Sequence, residues 1–402
     1  MSALISTDKM PFSVYLLAIC QALLMSGSSL LITASALVSL TLTDDKILVT
    51  LPLSLQFLAQ MLTSIPASLL MGKWGRRAGF MFGSLFGITG GCLAVYAVFT
   101  TNFWLFAVAS FLIGIFNGFG TYFRFAAVDV VAVSNRAKAI SYVMVGGVIA
   151  AFIGPNLANF GRGMIELIPF VGGFVYVTGL YVIIFIVLFF IKLPPASISD
   201  LQHTGRPLKQ IAIQPTYIVA VICGMLGYGV MTYVMTATPL AMHHHQHAFD
   251  QTAFVIQWHV LAMFAPSFFT GTIIQKVGVI KVMIIGAILA LICTVINLSG
   301  TSVWHFWVAL IALGISWNFL FIGASTLLTE TYKPEEAAKS QALNDFMVFS
   351  MVTIASLSAG VFQNKFGWES VNIGGILFVG VILASIFWLV RMPLEKRLAA
   401  KV

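Results

Sequence analysis

The sequence predicts an all-α membrane protein with twelve transmembrane helices in two pseudo-symmetric six-helix bundles. Three observations lead there. Of 402 residues, 59% are hydrophobic and only 8% are charged, against about 25% charged in a soluble domain. Such a chain has too little polar surface to cover a water-soluble fold, so the bilayer must be its main solvent. Uncharged runs of about 20 residues, the length that crosses the hydrocarbon core, recur along the whole chain. The two halves also resemble each other at an offset of about 200 residues.

The apolar runs place spans at 12–41, 47–71, 78–99, 103–131, 140–161, 168–192, 215–241, 251–274, 280–299, 303–329, 341–363 and 370–391. The first run is too long for the apolar core of a cleavable signal peptide and reads as a span. An even count puts both termini on one face. If that face is cytoplasmic, its loops and tails carry seventeen of the 21 Lys and Arg, the opposite loops carry Lys46, Arg162 and Lys365, and Arg124 lies within a span. This asymmetry orients the chain with both termini in the cytoplasm of a bacterial-type inner membrane. The net charge of +8 thus reflects topology: the basic residues are scattered over short loops, which excludes nucleic acid as a partner.

The polar stretch "LPPASISDLQHTGRPLKQIAIQ" (193–214) divides the spans six and six. It sets the expected organisation: a first half at 1–192, a cytoplasmic linker at 193–214, and a second half at 215–402. Three matches relate the halves. "SLQFLAQMLTSIP" aligns with "VIQWHVLAMFAPS", pairing Gln56 with Gln257; "GIFNGF" aligns with "GISWNF", bringing Asn117 onto Asn318; "DVVAVSNRAKA" aligns with "ETYKPEEAAKS", pairing Asp129 with Glu330. Two parallel six-helix halves with a substrate site near midplane between them are a known plan for secondary transporters.

Intramembrane polar groups are the candidates for chemistry, because each is costly to bury. His259 in "QWHVLAMF" falls near midplane of the eighth span, where an imidazole can carry a coupling proton or bind substrate. Its neighbours Gln257 and Trp258 are expected to share the cavity wall. Arg124 lies about 10 Å from midplane, placed to bind an anionic group or to pair with Asp345. Gln21, Gln56, Asn117 and Asn318 lie near midplane as cavity candidates, with Gln60 and Asn372 as further polar positions. Tyr228, Trp317 and Phe321 are candidate cavity walls. Four of the seven histidines, His243, His244, His245 and His247, stand in "AMHHHQHAFD" at the loop after the seventh span. They form at best a weak metal candidate, since short His-rich tracts are only a compositional hint; no metal site is expected.

The four cysteines fall inside apolar runs without ligand spacing and read as buried apolar residues. No phosphate-binding glycine loop ending in Gly-Lys-Ser/Thr and no His-Glu-x-x-His is present, so neither ATP-driven pumping nor zinc hydrolysis is expected. No cofactor and no enzymatic activity are expected.

After the second span, "SLLMGKWGRRAGF" supplies Gly75, Arg76 and Arg77, and "GTIIQKVGVIK" repeats the pattern with Gly271, Gly278 and Lys281. On these motifs and the twelve-span plan, the chain resembles the major facilitator superfamily of secondary transporters over essentially its whole length. It departs from the family's loop motif at Ser68, where a Gly is usual, and at Gly72, where an acid is usual. The resemblance implies that Arg76 pairs with Asp129, with Asp345 able to join, as a latch on the cytoplasmic side. "GGVIAAFIGPNLANF" carries Gly154-Pro155 and partly resembles the family's antiporter motif, with Ala158 and Asn159 where further glycines are usual.

The expected function is secondary transport of a small organic solute by alternating access, with proton-coupled efflux of amphipathic compounds or metabolites as the first choice. An uptake permease or uniporter for a metabolite or metal-chelate is the alternative, and a non-transporting membrane sensor a third reading. The expected partners are the substrate, protons and the lipid bilayer, around a functional monomer.

Overall fold

A computed structural model of the chain describes residues 10–131, 136–165, 168–193, 205–333 and 336–393. The helices are α1 (Phe12–Leu42), α2 (Leu51–Trp74), α3 (Arg76–Phe99), α4 (Phe103–Gly120), α5 (Phe123–Val128), α6 (Arg136–Arg162), α7 (Val171–Leu188), α8 (Leu208–Ala212), α9 (Pro215–His244), α10 (Phe249–Phe264), α11 (Ser267–Val277), α12 (Val279–Ser299), α13 (Val303–Thr329) and α14 (Ala337–Arg391). Among the described residues, ten helical stretches are long and apolar enough to cross a membrane, and the bent pair α10–α11 makes an eleventh span. The twelfth is inside α14, which Gly367 (φ 79°, ψ 179°) divides. The all-α, twelve-span expectation is met.

Three boundaries differ from the sequence reading, each for a local reason. The fourth span is broken at Thr121–Tyr122, where Thr121 Oγ1 donates to Gly118 O (2.8 Å) and Tyr122 Oη to Ser64 O (2.8 Å). The eighth span bends by 44° between α10 and α11 at Pro266, which has no N–H to continue the helix. The last two spans are joined through the single residue Gly367 instead of a polar loop.

The duplication is visible in the backbone. Gly75 (φ 87°, ψ 152°) and Gly278 (φ 92°, ψ 147°) make the same one-residue turn between α2 and α3 and between α11 and α12. Only glycine enters that region freely. Gly75→Ala is expected to cost about 1 kcal/mol, read as a lower thermal midpoint in detergent. Gly72→Ala, with open space around its added Cβ, should leave the midpoint where it is.

Buried apolar side chains gather into two large cores and a small third cluster of Leu53, Phe57, Val348 and Val352 between α2 and α14. One large core is built around Leu17, Leu30, Phe80, Phe106, Phe174 and Tyr181, the other around Val230, Met242, Val255, Ala287, Phe306 and Leu313. The outward surface is apolar too, with Tyr96, Trp104, Phe190, Trp304 and Leu377 exposed. A surface this greasy is stable only in lipid.

Contacts between the two sets of helices crowd at the face away from the termini. Asn364 Nδ2 donates to Lys46 O, Thr50 Oγ1 to Leu357 O (3.4 Å), Ser54 Oγ to Ser356 Oγ (3.1 Å) and Asn156 Nδ2 to Gln257 Oε1 (2.8 Å). Arg162 lies over both the Phe170 and Phe249 rings, at 5.6 and 5.4 Å. The member of this set nearest the termini is Ser350 Oγ, 3.1 Å from Met61 Sδ. The molecule is therefore zipped at one face, with its central cavity just on the terminal side of the zip.

Candidate functional site

A cavity of about 170 Å³ lies between the two halves at mid-depth. Its two walls differ in chemistry. From the α1–α4 side come Gln21, Ser28, Gln56, Gln60, Asn117 and Thr121, interspersed with Leu24, Met25, Ile32 and Phe57; from α9 and α10 come Tyr228, Met231, Thr232, Met235, Val260, Met263 and Phe264. All four carboxamides thus stand on the first wall, among apolar side chains, and the second wall is mostly thioethers and rings. No lining residue carries a charge.

Close backbone packing sets the polar wall. A Cβ on Gly114 would stand 2.2 Å from Gln56 O, so α2 rides directly on α4. That contact turns Gln56 inward, only 1% exposed, with Oε1 lacking a hydrogen-bond partner. Asn117, one turn further along α4, accepts from Ser28 Oγ at 3.3 Å. A buried acceptor without a partner costs about 1–3 kcal/mol, a cost that a donor on a bound ligand removes.

An aromatic box backs the apolar wall. Trp317 stacks on Phe321 (5.0 Å, 9°) and meets Tyr228 and Phe264 edge-on at 5.3 and 5.8 Å. Its Nε1 is buried without a partner. Of the sequence candidates, the structure brings Gln21, Gln56, Gln60, Asn117 and Tyr228 onto the cavity, with Trp317 and Phe321 directly behind.

Others are placed elsewhere. His259 does not face the cavity. It is fully buried between α10 and α13, its Nδ1 2.7 Å from Leu310 O, and Gly314 packs on its backbone as Gly114 packs on that of Gln56. On α10 the cavity is lined by Val260, Met263 and Phe264; His259 lies one turn before Met263, and its bond to Leu310 O holds the ring on α13. Asn318, the repeat partner of Asn117, is consumed by scaffold bonds: Nδ2 donates to Met263 O (2.6 Å) and Ser267 Oγ (2.7 Å), and Oδ1 accepts from Thr270 Oγ1 (2.6 Å). Asn372 likewise bonds Asn297 (2.8 Å). Gln257 sits toward the zipped face on Asn156, and Trp258 packs on Phe254 and Trp307.

The basic loop after α2 splits its work. Arg76 Nε donates to Asp129 Oδ2. Arg77 instead caps α7, with Nε 3.0 Å from Leu188 O and an Nη 2.8 Å from Phe189 O, where a cation favours the free carbonyls of a helix end. Asp345 does not join Arg76; it accepts from Asn344 Nδ2 (3.1 Å). Arg124 lies 4.9 Å from the Phe125 ring centroid and within electrostatic reach of Asp345 and Tyr228 in the other half. Among the described residues Arg124 has no carboxylate within 4 Å, and its Nε lacks a partner. At Gly154, a Cβ would come within 2.6 Å of Ser29 Cβ, so α6 lies against α1, and Pro155 sits inside α6. His243 and His244 end α9. His247 Nε2 is 2.7 Å from Thr301 O, and burial together with neighbouring His244 and His247 lowers the His245 pKa. Among the described residues no three His, Cys, Asp or Glu side chains group as a metal site.

Sequence reasoning missed one ion pair. Arg206, in the polar stretch between the halves, donates through Nε and an Nη to Glu336 (2.9 and 2.7 Å) and through its backbone N as well (2.8 Å). Lys333 N adds a bond to the same carboxylate (3.0 Å). These donors, Arg206 first, hold the Glu336 carboxyl far below its ordinary range. Stability from this group is therefore complete above about pH 4.3, the unfolded value, and is lost as pH falls below it. Glu336→Gln is expected to lower the thermal midpoint at pH 7, with the gap to the unaltered protein narrowing as the pH is brought below 4.

Helices with an uncharged cavity at mid-depth between two cores define a membrane carrier. The Major Facilitator Superfamily model matches residues 17–245 and 220–401. The chain is 40% identical over 394 residues to the riboflavin transporter RfnT of Brucella anthropi, covering 97% of this chain and 96% of that one. It is 28% identical over 356 residues to the uncharacterized MFS-type transporter YddS of Bacillus subtilis, covering 83% and 81%. Among solved structures it is similar to the nucleoside transporter NupG (TM-score 0.72, 13% identity, 94% and 98% covered). It is also similar to a bacterial homologue of the human lysosomal transporter Spinster in an inward-facing, occupied conformation (TM-score 0.73, 16% identity, 96% and 97% covered). The chain belongs to the Major Facilitator Superfamily. It is a multi-pass membrane transporter of a small-molecule substrate and not an enzyme.

Proposed function

We propose that this transporter carries riboflavin, or a neutral flavin-like heteroaromatic solute, by alternating access. The observation that carries the reading is an uncharged cavity whose four carboxamides all come from one half, among apolar side chains, and face a wall mostly of rings and methionines. A flavin has the matching division, with one edge of its planar ring system lined by carbonyl and N–H groups and the other by methyl groups. Gln21, Gln56, Gln60 and Asn117 would bond the polar edge and the hydroxylated side chain. Tyr228, Phe264 and Met263 would hold the ring face, with Trp317 behind. The 40% identical relative named a riboflavin transporter supports the same substrate class.

The cavity is smaller than the roughly 300 Å³ at which ligand pockets begin, so the ligand enters as the halves separate. We take 1–192 and 215–402 as the rocking units, 193–214 as their linker, and the charge asymmetry as placing the termini in the cytoplasm of an inner membrane. Arg76–Asp129, Arg77, Arg124 and Asp345 then lie at the cytoplasmic gate, with Gly75 as its turn and Gly154-Pro155 as the close contact along which α6 moves on α1. No titratable acid or histidine lines the cavity. Transport is accordingly read as following the solute's own gradient, the uptake or uniport alternative; proton-coupled efflux gains no support from the cavity or from the relatives.

Uptake of radiolabelled riboflavin into cells lacking their own flavin transport tests this. Expected is saturable uptake, inhibited by excess riboflavin and hardly by flavin mononucleotide, whose phosphate has no cation to meet in the cavity. Absence of riboflavin uptake in cells that display the protein would sink the substrate reading.

A further inference from the structure

A second cavity, of about 360 Å³, lies where α6 ends and α10 begins, on the face away from the termini. It is more polar than the central one: Asn156, Asn159, Asp250, Gln251 and Gln257 converge there, and Phe254 forms one side. Phe254 belongs to an aromatic cluster, 5.8 Å from Trp307 and 6.2 Å from Trp258, with Trp304 4.7 Å from Trp307. The Nε1 of Trp307 is buried with no partner.

This cavity and the central one share a single helix face. Along α10, Gln257 lines the upper cavity and Val260 and Phe264 the lower, a spacing of three to four residues that keeps these three on one stripe, with Phe254 and Met263 flanking it on opposite sides. Along α6 the corresponding positions are Asn156 above and Ala150 below, about 9 Å apart by helical rise. The two cavities are therefore stacked on the seam between the halves, separated by the Asn156–Gln257 hydrogen bond.

We propose that the upper cavity is an external binding site that takes the same class of ligand, a planar heteroaromatic ring with a hydroxylated chain, before the seam opens to the centre. The carboxamides and Asp250 would bond the hydroxyl groups, and the ring would lie against Phe254 and the tryptophan cluster. Three of the carboxamides already bond within the protein: Asn156 donates to Phe152 O and to Gln257, and Gln251 accepts from Ala248 N. A polyol would bond their remaining polar atoms. The inference rests on the flavin reading of the central cavity.

Purified protein in nanodiscs, titrated with riboflavin and read by quenching of flavin and tryptophan fluorescence, tests it. Expected are two flavins per unaltered protein, one after Gln56→Leu, and one after the double change Asn159→Leu/Phe254→Leu. The latter residues line the site without making the seam bond, and both are at least partly exposed, so the fold should tolerate the change. In transport, Asn159→Leu/Phe254→Leu should raise the half-saturating riboflavin concentration about fivefold, the loss of about one hydrogen bond, and leave the maximal rate intact. A single flavin on the unaltered protein, lost with Gln56→Leu and untouched by Asn159→Leu/Phe254→Leu, overturns the external site while the central reading stands. No flavin on the unaltered protein overturns both.

Discussion

Gln56→Leu is expected to weaken riboflavin binding by about ten- to a hundredfold and to cut uptake at low substrate in proportion. The side chain is almost wholly buried, faces the cavity, and offers an acceptor with no hydrogen-bond partner among the described residues. Leucine preserves the volume and removes the acceptor. A ligand N–H or O–H then enters the cavity unpaired, at a cost of about 1–3 kcal/mol, and each 1.4 kcal/mol is tenfold in affinity. Isothermal titration or fluorescence quenching reads the shift. His259→Ala is the informative contrast. Its ring is sealed between α10 and α13 on the Leu310 carbonyl, so the change should lower the thermal midpoint while the riboflavin affinity of the folded fraction stays as it was. A His259→Ala protein that folds normally but no longer binds riboflavin would return the imidazole to the site.

Gly114→Ala is expected to have the largest effect on folding. The added methyl would sit 2.2 Å from Gln56 O and 2.8 Å from Ala59 Cβ. Both belong to α2, so relief requires moving a helix, and overpacking of this kind costs about 1–3 kcal/mol or more. Small residues at such crossings are what let membrane helices approach. Gly314→Ala repeats the experiment in the second half, against His259 O at 2.6 Å and Ala262 Cβ at 2.8 Å. Both variants should show reduced monodisperse yield and a lowered midpoint. Gly179→Ala, with nothing within 4 Å of the new methyl, should match the unaltered protein. Gly114→Ala should also lose transport per folded molecule, because the helix it displaces carries Gln56; Gly314→Ala displaces α10, whose cavity residues Val260, Met263 and Phe264 are apolar, and should retain more.

The contrast between these two glycines shows how far the sequence could be read. The spans and the duplication were legible because membrane length and charge asymmetry are coarse signals. Gln21, Gln56 and Asn117 were legible as polar groups at mid-depth, since burying them needs a reason. Which way each helix turns was not. The α10 stretch is apolar on most sides, so its pattern gives no phase, and His259, one turn before cavity-lining Met263, is instead held on α13 by its bond to Leu310 O. The repeat itself misled at Asn318: Asn117 and Asn318 align, but Ser267 and Thr270 supply hydrogen-bond partners that close off Asn318, whereas among the described residues the Asn117 side chain bonds Ser28 alone. The Arg206–Glu336 pair left no local signal because its members lie 130 residues apart, and only the packing of α8, α9 and α14 brings them together. The histidine run that stands out in the sequence ends α9 at the surface, and none of its histidines lines either cavity.

Radiolabelled riboflavin counterflow in proteoliposomes of the purified protein tests the central claim most directly. Vesicles preloaded with unlabelled riboflavin should accumulate label transiently, at the same rate with and without a pH gradient. Gln56→Leu should abolish that accumulation at low label concentration. No counterflow by the unaltered protein, or accumulation that proceeds only when a pH gradient is imposed and is lost in Asp345→Asn, would contradict the account of a neutral flavin carried down its own gradient through an uncharged cavity.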